Sequence, residues 1–120
     1  MAIQVPILRQ GSTLIASVQD TLTDNDILEL QARLLAEVVR TRAKGVVIDV
    51  SSLDILDSFG TRMLGDVVAA AQLRGAVTVI VGIQPEVALA MVLLGLTMRN
   101  VATALDLDTG LNLLNRRMAK

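Results

Sequence analysis

The pattern of hydrophobic and polar positions changes repeatedly along the chain between a helical and an extended period. Between Ile27 and Val39 the apolar residues fall on one stripe of a helix, and the charged residues lie mostly off it. Thr23, followed three residues later by Asp26, is spaced as a capping box at the start of that helix. The pattern therefore predicts an amphipathic helix that begins near Thr23 and ends before Gly45.

Shorter apolar runs predict strands. Val46–Val50 is apolar on both faces except at Asp49, and Val77–Val81 is a second β-branched run, so both are typical of central strands. Pro85 stands where a proline suits the first turn of a helix. The remaining predicted elements are strands at Ile3–Arg9, Thr13–Gln19 and Val101–Leu105, a helix at Thr61–Leu73, and a helix at Thr109–Met118 capped by Asp108.

The order of these elements is β-β-α-β-α-β-α-β-α, which predicts an α/β fold with about five strands and about four helices. The sheet is expected to be mixed but mostly parallel, with the first two strands as an antiparallel hairpin on its edge. In such sheets function gathers at the carboxyl ends of the central strands. Here those ends lead into the Ser51–Gly60 loop and the Gly82–Pro85 turn.

One long apolar window, Ala76–Met98, has the length of a membrane span. Gln84, Pro85 and Glu86 lie at its middle, where a carboxylate is costly and a proline breaks a helix. The window is therefore predicted to be a strand, a turn and a helix. The first residues also lack the basic and apolar regions of a signal peptide, so we expect one cytoplasmic domain, residues 1–120, without a membrane association.

The composition removes most enzyme chemistries. The 120 residues include no His and no Cys, so a Ser-His-Asp triad, an imidazole base, an ordinary zinc site and a disulfide are all excluded. Eleven basic residues balance twelve acidic ones, and Phe59 is the single aromatic residue, so binding to nucleic acid is not expected.

Four polar residues, Asp49, Asp54, Asp57 and Ser58, follow the first central strand and lead into a helix. Two interpretations are open at this point. Asp57 or Ser58 is an N-cap that accepts a backbone N–H, or Ser58 is a hydroxyl presented for phosphorylation. In the second case the helix dipole favours the phosphate, while Asp54 and Asp57 oppose it and repel the loop or a bound partner.

Asp49 also permits two interpretations. An aspartate at a central strand end is where a receiver phosphoacceptor or a magnesium ligand lies, and such sites also need an early acidic pair and a later lysine. Asp24 and Asp26 come after the second strand, and no lysine lies between Gly75 and Lys120. We therefore favour a structural Asp49 that bonds to the following loop.

The strand GVVIDV, followed by a loop that ends in Asp57 and Ser58 and by a helix, resembles the STAS domain of anti-sigma factor antagonists, and the resemblance covers almost the whole chain. The general antagonist pattern has a second small hydroxyl residue after the serine. Phe59 stands there in this chain. With that departure the chain resembles the RsbS-like branch of the family, the stressosome scaffold proteins. The DSF triplet, the GIQPEVA turn at Gly82–Ala88 and the ALDL tail, all in register, look characteristic of that branch.

The resemblance implies a single STAS domain that is not an enzyme and needs no cofactor or metal. It implies that Ser58 is phosphorylated by an RsbT-like serine/threonine kinase of the GHKL type, which the scaffold otherwise sequesters. It also implies co-assembly with RsbR-like sensor paralogues and resetting by a dedicated serine phosphatase. Thr61 is a fallback phosphoacceptor, and the partner-binding loop is expected to include Asp54, Asp57, Phe59 and Gly60.

The helix after Pro85 is apolar around its whole circumference from Val87 to Leu94, which is unusual for the surface of a monomer. It either packs under other elements or supplies subunit contacts, for which Met91, Leu94 and Met98 are the candidates. Two other functions stay open. One is a simple monomeric anti-anti-sigma factor that binds an anti-sigma kinase, and the other is a small enzyme or receiver that depends on Asp49.

Overall fold

The computed structural model describes residues 6–19, 23–53, 57–93 and 101–118. Within these residues it has five strands and four helices in the predicted order. The strands are β1 (Ile7–Gln10), β2 (Thr13–Gln19), β3 (Gly45–Ser52), β4 (Val77–Val81) and β5 (Ala102–Ala104). The helices are α1 (Asp24–Thr41), α2 (Ser58–Leu73), α3 (Pro85–Leu93) and α4 (Leu107–Met118).

The strands form one sheet in the order β1-β2-β3-β4-β5. β1 and β2 are antiparallel, and each later pair is parallel. This confirms the predicted mixed sheet with an antiparallel hairpin on its edge. The ladder between β3 and β4 runs as far as Asp49 paired with Val81, so the residues that follow both strands emerge side by side.

The two faces of the sheet form separate cores because successive side chains of a strand point to opposite sides. On one face, Ile48 and Ile80 pack with Leu34 of α1, Val67 of α2 and Val87 of α3. On the other face, the strand residues Val47, Val79 and Val81 pack with Leu114 of α4. Among the described residues no helix is long and apolar enough to cross a membrane.

The helix starts confirm the capping predictions in one case and correct them in another. Thr23 and Asp26 form the predicted capping box of α1, with each side chain accepting the backbone N–H of the other residue. The cap of α4 is Asp106 rather than Asp108, because Asp106 Oδ1 accepts the N–H of Thr109 at 2.8 Å. This hydrogen bond lowers the pKa of Asp106.

Candidate functional site

Ser58 is the first residue of α2 and its side chain is exposed. The residue before it, Asp57, is extended, with φ −87° and ψ −179°, and its Oδ1 accepts the N–H of Gly60 at 2.7 Å. Asp57 is therefore the N-cap, and the helix begins three residues earlier than the predicted Thr61. The two interpretations of the sequence are compatible, because the cap uses Asp57 and leaves the Ser58 hydroxyl at the surface.

Thr61 lies one turn into α2 and is only 4% exposed. Its Oγ1 donates to the carbonyl oxygen of Asp57 at 2.9 Å, and its backbone N–H donates to the same oxygen at 2.9 Å. A phosphate on this hydroxyl would require the first turn of α2 to open, because the group is both buried and bonded. The structure therefore argues against Thr61 as the fallback phosphoacceptor.

The other residues predicted for the partner-binding loop have different environments. Phe59 is half-buried and Gly60 is buried, whereas Asp57 is exposed although one of its oxygens serves the cap. Asp54 lies outside the described residues. Ser58 and Asp57 are thus the exposed part of the described loop, with the Phe59 ring partly accessible beside them.

Asp49 has a structural partner. Its Oδ1 accepts the backbone N–H of Ser51 at 2.9 Å, so the bond is made within the last residues of β3 rather than to the loop that follows it. In the parts of the chain that the structure describes, no group of three His, Cys, Asp or Glu residues is arranged to hold a metal ion. The hydrogen bond to Ser51 agrees with a structural role for Asp49.

The sequence did not identify Gln84, which the structure brings to the end of β3. Gln84 precedes α3, and its Nε2 donates to the carbonyl oxygen of Ser51 at 2.7 Å. The available signal was indirect, since Gln84 lies in the GIQPEVA turn at the carboxyl end of β4, beside the end of β3. A hydrogen bond from this side chain to a backbone oxygen 33 residues away has no pattern in a single sequence.

Ser58 lies at the carboxyl ends of the parallel strands, and this end of the sheet is rich in acidic groups. Each of the four described helices follows one of the parallel strands β2 to β5, so all four begin at this end of the sheet. Its described acidic residues are Asp24, Asp26, Asp49, Asp57, Glu86, Asp106 and Asp108. Arg62, near the start of α2, is a basic residue in the same region. A phosphate on Ser58 would therefore enlarge a negative charge that the helix dipoles only partly offset.

α3 has a buried and an exposed apolar face. Met91 is 4% exposed and packs in the core with Val87. Its side chain is therefore not accessible to another subunit, and the structure does not support the predicted subunit contact. The large exposed apolar side chains of this helix are instead Leu89, Val92 and Leu93. The other two predicted contacts, Leu94 and Met98, lie outside the described residues.

Comparisons with known proteins agree with this architecture. A family model described as the STAS domain matches residues 4–109. The S58E form of RsbS from Moorella thermoacetica is 35% identical, with a TM-score of 0.90, and the match covers 98% of this chain and 100% of that one. A chain from the molecular architecture of the stressosome, a signal integration and transduction hub, is 36% identical, with a TM-score of 0.86 and coverage of 96% and 100%.

The unphosphorylated form of the anti-sigma factor antagonist SpoIIAA is more distant. It is 10% identical, has a TM-score of 0.69, and the match covers 94% of this chain and 97% of that one, so this likeness concerns the fold alone. A search of curated proteins by sequence found no match.

Proposed function

Because the chain belongs to the STAS domain family, we propose that it is a non-catalytic, cytoplasmic scaffold of the RsbS type. It co-assembles with larger STAS paralogues that carry sensor domains, and it holds an RsbT-like serine/threonine kinase of the GHKL type. Phosphorylation of Ser58 releases that kinase, which then acts in a stress-response pathway that controls a sigma factor. A dedicated serine phosphatase restores the hydroxyl.

The observation that carries this proposal is the exposed Ser58 hydroxyl at the start of a helix whose cap is supplied by its neighbour. An exposed hydroxyl is accessible to a kinase without a change in the fold, and Ser58 is exposed whereas Thr61 is buried and hydrogen-bonded. The similar Moorella thermoacetica RsbS was itself studied with glutamate in place of a serine numbered 58. An acidic residue there is the usual imitation of a phosphate.

Release of the kinase follows from the charge that phosphorylation adds. A phosphoserine brings about −1.5 to −2 charges at pH 7, compared with a net charge of −1 for the whole chain. The phosphate is repelled by the like charges of Asp57 and of the other acidic residues at the carboxyl ends of the strands. In a close-packed interface it also loses hydration, so the contact that accepted a neutral hydroxyl is weakened.

The experiment is to incubate the purified chain with the RsbT-like kinase of the same genome and ATP, and to read the intact mass. We expect one added phosphate on the wild type, none on Ser58→Ala, and one on Thr61→Val. Undiminished labelling of Ser58→Ala would refute the site assignment. Loss of labelling in a folded Thr61→Val variant would return Thr61 to consideration.

Retention of the kinase is the second readout. Ser58→Asp is expected to elute without the kinase in size-exclusion chromatography while its assembly with a sensor paralogue keeps the same size. Equal retention by the wild type and Ser58→Asp would contradict release by charge. A chain that stays monomeric when mixed with its sensor paralogue would favour the simple anti-anti-sigma factor instead.

A further inference from the structure

The exposed residues of α2 form one stripe along the helix. Ser58, Arg62 and Asp66 are exposed at intervals of four residues, and Ala69 and Leu73 continue the stripe to the end of the helix. The opposite side of α2 is buried in the core. Residues four apart in a helix are neighbours on its surface. Arg62 is therefore the neighbour of Ser58 on the exposed side of α2, and this relationship is set within the helix itself.

Arg62 has both the position and the direction to reach a phosphate on Ser58. Side chains of an α-helix lean toward its N-terminus, so the long side chain of Arg62 extends over the turn that begins with Ser58. Asp66 is equally spaced on the other side of Arg62. A helix favours pairs in which the acidic residue precedes the basic one. A phosphate on Ser58 followed by Arg62 has this order, whereas Arg62 followed by Asp66 has the reverse order.

The guanidinium of Arg62 is available in the unmodified chain. Within the described part of the chain, the structure shows an ion pair between Arg40 and Glu37, and Arg62 takes part in none. Arg62 is also exposed. Most other described basic residues lie at the opposite ends of the helices, away from the start of α2: Arg40, Arg42, Arg74, Arg116 and Arg117. Arg62 is thus the described cation that a phosphate on Ser58 meets along its own helix.

We propose that Arg62 is the phosphate-binding residue of the modified chain: its guanidinium pairs with the phosphate on Ser58 along the exposed side of α2. The inference rests on the proposed function and specifies its phosphorylated state. A guanidinium presents a fork of N–H donors that fits two phosphate oxygens. Asp57 opposes the phosphate by its like charge, whereas Arg62 and the positive end of the helix dipole favour it. Phosphorylation then changes the charge of the surface without opening the first turn of α2.

The pairing predicts a coupling between the phosphate and Arg62 that the separate effects of the two groups do not explain. A thermodynamic cycle measures such a coupling. We expect the effect of the phosphate on Tm to be more favourable in the wild type than in Arg62→Gln by about 2–4 °C. A residue that only stabilised the fold would change Tm equally with and without the phosphate.

The test uses chains in which phosphoserine is incorporated at position 58 during translation, so that every variant carries the phosphate without the kinase. Tm is measured with serine and with phosphoserine for the wild type, Arg62→Gln and Arg62→Lys. Arg62→Lys keeps the charge but loses the fork of donors, so part of the coupling is expected to remain. Arg74→Gln makes the same exchange at the C-terminal cap of the same helix and is the control, with a coupling close to zero.

The guanidinium itself provides a second measurement that needs no variant. In proton–nitrogen NMR spectra the Nε–H signal of Arg62 is expected to shift when position 58 carries the phosphate, while the signal of Arg74 stays in place. An unmoved Arg62 signal would contradict the pairing even if Arg62→Gln failed to fold.

Equal effects of the phosphate on Tm in the wild type and Arg62→Gln would overturn the inference and leave the proposed function standing. An equally large coupling at Arg74 would also overturn it, because net charge rather than a pair would then be responsible. A wild-type chain that the RsbT-like kinase and ATP leave unmodified would overturn the proposed function, and the cycle would still decide whether the pair forms.

Discussion

The carboxylate of Asp57 accepts the backbone N–H of Gly60 at 2.7 Å, directly beside the exposed Ser58. The acidic residue next to the proposed phosphoacceptor is thus occupied in starting α2, while the side chain of the serine that follows is exposed. The two neighbouring residues have separate tasks, and each can be tested without removing the other.

Asp57→Ala is expected to lower the free energy of unfolding by about 1 kcal/mol, because one backbone donor at the start of α2 loses its acceptor. Asp57→Asn keeps a capping oxygen and is expected to change it by only a few tenths of a kcal/mol. Urea unfolding measures both. Asp66→Ala, on the exposed side of the same helix, is the control. Equal losses for Asp57→Ala and Asp57→Asn would show that charge, rather than capping, is what matters.

Thr78 is expected to be a site where the chain gains stability. It is 1% exposed in β4, and its Oγ1 has no hydrogen-bond partner among the described residues. Thr78→Val replaces the unpaired hydroxyl with a methyl group of similar shape and should raise the free energy of unfolding by about 1 kcal/mol. Thr103→Val, on the exposed face of β5, should leave it within about 0.5 kcal/mol. A destabilised Thr78→Val would mean that the hydroxyl is satisfied in solution.

Gly82 and Gly75 offer a matched test of the contact with Ser51. Both have a positive φ, +76° and +85°, but a Cβ at Gly75 would meet nothing within 4 Å. Gly75→Ala is expected to cost about 1 kcal/mol for its backbone conformation alone. Gly82→Ala should cost about 3 kcal/mol because the new Cβ also overlaps Ser51. Thermal unfolding compares the two variants, and similar Tm values would refute the close approach.

The cap of α4 predicts a dependence on pH. The hydrogen bond from Thr109 lowers the pKa of Asp106 below its ordinary value of 3.8, so the folded state favours the ionised carboxylate. Its contribution to stability is present above pH 3.8 and is lost as the pH falls through the lowered pKa. Asp106→Ala should therefore lower Tm at pH 7, and the difference from the wild type should shrink in acid. A difference that grows in acid would contradict this sign.

The exposed face of α3 is the surface that we expect to contribute to assembly. Val92 is 73% exposed and lies beside Leu93 on a helix that also leaves Leu89 at the surface. Val92→Asp should reduce co-assembly with a sensor paralogue, measured by light scattering, without a change in Tm. Leu73→Asp is the control, since that residue is 89% exposed at the end of α2. The assignment fails if Leu73→Asp disrupts assembly and Val92→Asp does not.

The order and type of the helices and strands could be predicted from the local pattern of apolar and polar residues. The 3.6-residue stripe of α1 and its Thr23 cap, and the doubly apolar β3 and β4, are properties of neighbouring residues, so a single sequence contains them. The element ends were less well predicted. α2 begins at Ser58 and α4 is capped by Asp106, because several candidate capping residues stood close together and only backbone geometry selects among them.

The sequence by itself determined the alternation of strands and helices, a mostly parallel sheet with an antiparallel hairpin on its edge, the excluded chemistries, and Ser58 as the candidate acceptor. Only the tertiary structure decided that Thr61 and Met91 are buried, that α3 exposes Leu89, Val92 and Leu93, and that Gln84 bonds to Ser51. The physical reason is distance along the chain. Periodicity and capping act over a few residues, whereas burial and the Gln84 contact depend on which segments the folded sheet brings together.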